Sequence, residues 1–224
     1  MIKAVIFDLD GTLLNREESL KIFISNQYER LNESLYQLPK EEYVQRFIEL
    51  DNHGYVWKDK VYKQLIREFS IQGITCEELL EDYLNNFKEN CVPFPNVLET
   101  LERLKQNNFL IGMITNGKGQ FQMDNMKALE IDKYIDTILI SDWEGVKKPD
   151  PTIFRRACER LKVDPEECVF IGDHPKNDVK AAKEVGMKGV WKNNRQWEKV
   201  KADYVMDELD EIQTIIQHLN SVSS

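Results

Sequence analysis

Residues 4–12 read Ala4-Val5-Ile6-Phe7-Asp8-Leu9-Asp10-Gly11-Thr12. Four apolar residues follow one another without polar alternation, and the run stops at two carboxylates and an Asp-Gly turn pair. A strand with one wet face alternates; a continuous apolar run suits a strand covered on both faces, as in a parallel sheet. Working outward, the same figure recurs at 109–114 ending in Thr115-Asn116-Gly117, and at Thr137–Ile140 ending in Ser141-Asp142. It recurs again at 168–171 ending in Gly172-Asp173, and at 189–191 ending in Lys192. Amphipathic segments separate these runs. Residues 95–106 place Val97, Leu98, Leu101 and Leu104 on one helical stripe. Asp150-Pro151 reads as an N-cap followed by a proline in the first helical position, opening a helix to Leu161. Residues 178–185 read as another helix, with Gly186 as its stop. Strand alternating with helix predicts an α/β fold with a doubly wound, mainly parallel, Rossmann-like sheet. In such sheets ligands meet polar residues just past the carboxyl ends of the strands, which is where the polar clusters fall.

Residues 15–91 interrupt the alternation with helical periodicity. Phe23, Tyr28 and Leu31 fit one helix, and Tyr43, Phe47, Ile48 and Leu50 a second. Val61, Leu65, Ile66 and Phe69 fit a third, and Thr75-Cys76-Glu77-Glu78 is a capping box opening a fourth toward Phe87. Cys91-Val92-Pro93-Phe94-Pro95 reads as a stiff connector. The expected organisation is therefore an α/β core of 1–14 and 92–224, with an all-helical insert at 15–91. The polar tail 220–224 is expected to fray.

Composition narrows the function. Thirty basic against 39 acidic residues give a net charge of −9, so the chain has no general attraction for nucleic acid or an anionic membrane surface. The opening residues do not read as a signal peptide, and no apolar run approaches the roughly 18 residues of a membrane span. The four cysteines form no Cys-x-x-Cys pair and no cluster with histidine, which fits reduced, buried thiols in a cytoplasmic protein.

Four clusters carry chemistry. Asp8-Leu9-Asp10-Gly11-Thr12 could be a plain turn, but two carboxylates at the end of a central strand are costly unless used. Thr115-Asn116-Gly117 offers a hydroxyl and backbone N–H groups to an oxyanion, or is an ordinary N-cap. Lys147-Lys148-Pro149-Asp150-Pro151 could be a solvated loop. In Gly172-Asp173-His174-Pro175-Lys176-Asn177-Asp178, Asp178 could be a helix cap, whereas Asp173 sits at a strand end.

Together these residues resemble the four motifs of the haloacid dehalogenase superfamily of aspartate-nucleophile hydrolases, in the family's order. The matches are Asp8-Leu9-Asp10-Gly11-Thr12, Thr115, Lys148 before Pro149, and Gly172-Asp173 followed by Asp178. Lys148-Pro149-Asp150-Pro151-x-Ile153-Phe154 and Asn177-Asp178-Val179 with Ala181-Ala182 and Gly186-Met187 extend the likeness over essentially the whole chain. The helical insert takes the place of the family's cap, between the first and second motifs. The resemblance implies a phosphatase with Asp8 as nucleophile and Asp10 as acid and base. Thr115, Asn116 and Lys148 would hold the phosphoryl group. Asp8, the Asp10 carbonyl and Asp173 would bind Mg²⁺, and Asp178 would orient a metal-bound water or Lys148. The charges make sense of the set, because two like charges about 4 Å apart repel by roughly 4 kcal/mol at an effective dielectric near 20. Several carboxylates and a phosphate therefore need a hard divalent cation and a lysine.

Lys148 is preferred to Lys147 because it directly precedes proline. His174 could touch substrate or water, or be a loop histidine. Dehalogenation at carbon is one rival, disfavoured by the presence of Asp10. A phosphomutase would pass the phosphoryl group to a sugar hydroxyl, and a non-catalytic binding module would lack one of the intact motif residues. The expected substrate is a small phosphorylated metabolite, such as a nucleoside monophosphate or sugar phosphate. The segment 53–58, with Tyr55, Trp57 and Lys58, either reaches the leaving group or packs inward as a helix connector. Oligomeric state is not legible.

Overall fold

A computed structural model of the chain describes residues 1–222. In chain order it forms β1 (Ala4–Phe7), α1 (Arg16–Arg30), α2 (Asn32–Leu35), α3 (Lys40–Asp51), α4 (Lys58–Phe69), α5 (Cys76–Asn86) and α6 (Val97–Gln106). Then come β2 (Leu110–Thr115), α7 (Gly119–Ala128), β3 (Thr137–Ile140), α8 (Ser141–Glu144), α9 (Pro151–Leu161) and β4 (Cys168–Gly172). A π-helical turn, Pro175–Lys180, runs into α10 (Ala181–Glu184), followed by β5 (Lys188–Lys192), β6 (Tyr204–Met206) and α11 (Ile212–Val222). The chain divides into two compact units, Met1–Asn15 with Pro93–Ser224, and Arg16–Val92.

The first unit holds a six-stranded sheet in the order β3-β2-β1-β4-β5-β6 with every pairing parallel. This is the doubly wound α/β fold, and its strand order reverses between β1 and β4, the place where such sheets open a crevice. Phe7 pairs with both Met113 and Ile171, so the residues after β1 and β4 emerge side by side at that crevice. β1 is buried throughout, which is why its sequence lacks alternation. Ile6, Ile114, Leu139 and Phe170 pack on one sheet face against Ile153, Phe154 and Ala157 of α9 and Ala181 and Ala182 of α10. The Phe154 and Phe170 rings meet at 5.1 Å, a contact worth about 0.5–1.5 kcal/mol beyond area burial.

The second unit is helical. Its core includes Phe23 against Tyr83 at 5.3 Å and Phe47 against Tyr62 at 5.3 Å. The Thr75 capping box forms with both arms, Glu78 N–H donating to Thr75 Oγ1 and Thr75 N–H to Glu78 Oε2. Asp51 is buried at the end of α3, where it takes both terminal nitrogens of Arg16 at 3.0 Å, the Gly54 N–H at 2.8 Å and the Lys58 ammonium.

Several expectations need correction. Leu98 does not join the α6 stripe; it is exposed, and Thr100 is buried instead. The helix expected at 178 begins at Pro175. β6 was not foreseen. Leu31 and Cys91 are half-buried. Of the tail, α11 carries the chain to Val222, and Asn220 Oδ1 accepts the Ile2 N–H at 2.7 Å; residues 223 and 224 lie outside the described residues. No helix of the described residues is long and apolar enough to cross a membrane.

Candidate active site

β1 delivers Asp8 to the crevice, and the chain then turns tightly. Leu9 C=O accepts the N–H groups of Thr12, Leu13 and Leu14, and Gly11 adopts φ +84°. Gly11 is needed there twice over: its φ is left-handed, and a Cβ on it would lie 2.5 Å from Asp173 Oδ2. The turn thus brings backbone against the second strand-end carboxylate.

Asp8, Asp173 and Asp178 are all at least nine-tenths buried, and each presents a carboxylate oxygen within 4.8 Å of the others. Lys148, 3% exposed, reaches between two of them: its Nζ lies 2.6 Å from Asp8 Oδ1 and 2.7 Å from Asp178 Oδ1. Asp8 Oδ2 also accepts the Thr12 hydroxyl at 3.2 Å. Asp178 can sit so close to β4 because Gly172 has no side chain; a Cβ there would lie 2.5 Å from Asp178 Cβ. Asp178 Oδ2 accepts the His174 N–H at 2.9 Å, and Oδ1 has its ion pair to Lys148 but no well-aligned hydrogen bond.

Lys148 and the buried ammonium of Lys192, which interacts with Asp173, are still one charge short of balancing three carboxylates. Burial pushes Asp8 up to about 6 even against the pull of Lys148, with Asp178 adding to the rise. Burial, with Asp8 and Asp178 behind it, pushes Asp173 up to about 7. Lys148 is desolvated too, but the charges of Asp178 and Asp8 outweigh that and raise it. The site therefore carries more negative charge than its protein partners can neutralise. The donors are all oxygens, which suits a hard divalent cation and not zinc. By charge and donor chemistry the residues fit Mg²⁺.

Thr115 ends β2 fully buried. The following Asn116-Gly117 does not cap α7, whose N-cap is Lys118 with no side-chain bond. Instead the Asn116 carboxamide grips the Lys148 backbone at both ends, donating to its C=O and accepting from its N–H at 2.9 Å each. Lys147 is exposed. His174 is not an idle loop residue: its Nδ1 accepts the N–H groups of Lys176 and Asn177 at 3.1 Å and so caps the π-helical turn. Burial and the Lys148 charge lower its pKa, in keeping with a ring nitrogen that serves as acceptor. In the helical unit, Lys58 is buried on Asp51 and does not reach out for an anion, while Tyr55 and Trp57 are exposed.

Residues not foreseen from sequence also line the site. Asn194 Nδ2 and Trp197 Nε1 donate to Asp173 Oδ2 at 2.8 and 3.4 Å, and Trp191 Nε1 donates to its C=O at 2.7 Å. Trp191 lies near the carboxyl end of β5 and the other two follow that strand, so the strand-end rule could have pointed to them. Gln122 of α7, 2% exposed, donates from Nε2 to Asp10 Oδ2 at 2.6 Å and to Thr115 Oγ1 at 2.7 Å.

Comparison with known proteins gives the family and the fold. A family model described as haloacid dehalogenase-like hydrolase matches residues 5–192. A glyceraldehyde 3-phosphate phosphatase of Pyrococcus furiosus is 30% identical over 98% of this chain and 95% of its own. Pyrophosphatase PpaX of Bacillus mycoides is 29% identical over 98% and 99% respectively. Among solved structures, YfnB of Bacillus subtilis, bound to magnesium, superposes with a TM-score of 0.77 over 96% of this chain and 98% of its own, at 21% identity.

Proposed function

Because the chain belongs to the haloacid dehalogenase-like hydrolases, as an enzyme of phosphatase type, we propose that it hydrolyses small phosphate monoesters through a phosphoaspartate on Asp8. The observation that carries this reading is the Lys148 ammonium held between Asp8 and Asp178, with Asp173 beside them. Asp8 is thereby fixed with one oxygen on a cation, and that cation would meet a phosphoryl dianion bound against Asp8.

In the first step an Asp8 oxygen bonds to phosphorus as the bond from phosphorus to the leaving oxygen breaks. That oxygen takes a proton from Asp10. In the second, Asp10 takes a proton from water, whose oxygen attacks phosphorus as the Asp8–phosphorus bond breaks, and inorganic phosphate leaves. Thr115 through its hydroxyl and Asn116 through its backbone N–H hold phosphoryl oxygens, while the Asn116 side chain fixes Lys148. Asp8, the Asp10 carbonyl and Asp173 would hold Mg²⁺, with Asp178 orienting Lys148 or a water. The metal would supply charge neutralisation between the anionic nucleophile and the anionic substrate. Unit Arg16–Val92 takes the part of the cap. The substrates of the relatives suggest triose phosphates and pyrophosphate as members of the panel to test.

The experiment is phosphate release, with and without Mg²⁺, from p-nitrophenyl phosphate and a panel comprising glyceraldehyde 3-phosphate, glycerol 3-phosphate, glucose 6-phosphate, AMP and pyrophosphate. Wild type should turn over at least one panel member with Mg²⁺. Asp8→Asn should lose at least about 10³-fold, the scale expected when a covalent nucleophile is removed. Undiminished activity in Asp8→Asn would reject the nucleophile.

A further inference from the structure

Gln122 lies in the first turns of α7, far in sequence from Asp10, yet its carboxamide touches two residues of the proposed reaction. One Nε2 atom donates to Asp10 Oδ2 at 2.6 Å and to Thr115 Oγ1 at 2.7 Å. A side-chain amide nitrogen carries two hydrogens, so both donations can be made together. The amide's orientation is set on its other side, where Asn125 Nδ2 donates to Gln122 Oε1 at 3.3 Å. Reversing the group would set Oε1 against the Asp10 carboxylate and its N–H groups against those of Asn125. Gln122 and Asn125 are both buried. The space for the side chain comes from Gly117, where a Cβ would lie 2.8 Å from Gln122 Cγ.

We infer that Gln122 is a positioning residue that sets the acid and base Asp10 in register with the phosphoryl-holding hydroxyl of Thr115. This rests on the proposed role of Asp10. Tying Oδ2 to the amide fixes the orientation of the whole Asp10 carboxylate. Because Thr115 Oγ1 accepts from Gln122, its own hydrogen is directed away from the amide, toward whatever acceptor occupies the crevice. The two donors stand at a fixed spacing because one planar group holds both. Displacements of about 1 Å in such groups cost on the order of 10²-fold in rate.

Leaving-group dependence separates this role from a merely structural one. An alkyl phosphate needs its leaving oxygen protonated in the first step, whereas 2,4-dinitrophenyl phosphate does not. Gln122→Met keeps the size and removes the donors. For the alkyl phosphate of the panel that wild type hydrolyses fastest, kcat/KM should fall about 100-fold. For 2,4-dinitrophenyl phosphate the fall should be at least about 10-fold smaller, since kcat/KM ends at phosphoryl transfer to Asp8 and only the alignment of the Thr115 hydroxyl is lost there. The second step still needs Asp10, so the variant should release a burst of dinitrophenolate near one equivalent per site before a slow steady state. Should Gln122→Met fail to fold, Gln122→Leu also removes the donors without adding charge and should give the same split. Equal losses on both substrates, or no loss on either, would overturn the inference. Asp8→Asn run alongside keeps the two readings apart. If it is inactive while the Gln122 variant is evenly impaired, only the role of Gln122 fails; if it is active, both fail.

Discussion

At the scale of single residues, the site depends on side chains that hold other side chains. Asn116 is the clearest after Gln122, since both ends of its amide grip the backbone of Lys148, whose ammonium serves Asp8. Removing that grip in Asn116→Ala should leave the charge of Lys148 in place and blur its position. The expected result is a fall in kcat/KM on the order of 10- to 100-fold with Mg²⁺ saturating. An unchanged kcat/KM would show that the buried ion pairs alone suffice to hold Lys148. Asp8, Asp173 and Lys148 were legible in sequence because each sits at a strand end or before a proline, where a buried charge has few bland explanations, whereas Asp178 was legible only through the family motif. Gln122 and the side-chain role of Asn116 were not. Glutamine on a helix and asparagine in a turn are ordinary, and only the rotation of α7 onto Asp10 and the approach of the Lys148 loop to β2 give them work.

At the scale of elements, legibility followed burial and local signals. β1 to β5 were legible because buried parallel strands leave unbroken apolar runs. β6 has three residues, of which Val205 is 47% exposed, so it leaves no run. The helix after β4 was placed late because Asp178 is a common capping type, whereas the actual cap is a histidine nitrogen. Where local and tertiary signals agree, the energy can be forecast. The Thr75 box closes α5 at both arms on an exposed surface. Thr75→Ala should therefore cost about 1 kcal/mol of unfolding free energy by chemical denaturation. It should leave kcat/KM on the panel unaltered, because the box joins only Thr75 and Glu78 at an exposed helix end. A change below about 0.3 kcal/mol would mean that the helix is held by its buried face alone.

For the whole molecule, the excess of buried negative charge becomes a pH-dependent stability. Asp8 and Asp173 in the metal-free fold keep their protons up to about 6 and about 7, while an unfolded chain releases them near 4. Between pH 4 and 7 the native state thus binds more protons than the unfolded one, and stability from these groups falls as pH rises. It is fully present below pH 4 and lost by about pH 7. A bound divalent cation reverses the balance, because it requires both groups ionised and competes with their protons. At 100 times its Kd, Mg²⁺ contributes about 2.7 kcal/mol, or roughly 5–10 °C in Tm for a chain of this length. Thermal unfolding at pH 5 and pH 8, with and without Mg²⁺, should show the larger Mg²⁺ increment at pH 8. Other carboxylates titrate over the same range, so the comparison that isolates the site is with Asp173→Asn. That variant should lose the Mg²⁺ increment, and its metal-free Tm should gain on wild type as pH rises from 5 to 8. An Mg²⁺ increment equal at both pH values, or retained in Asp173→Asn, would mean that the three carboxylates do not act together on one cation. The charge argument for the site would fall with it.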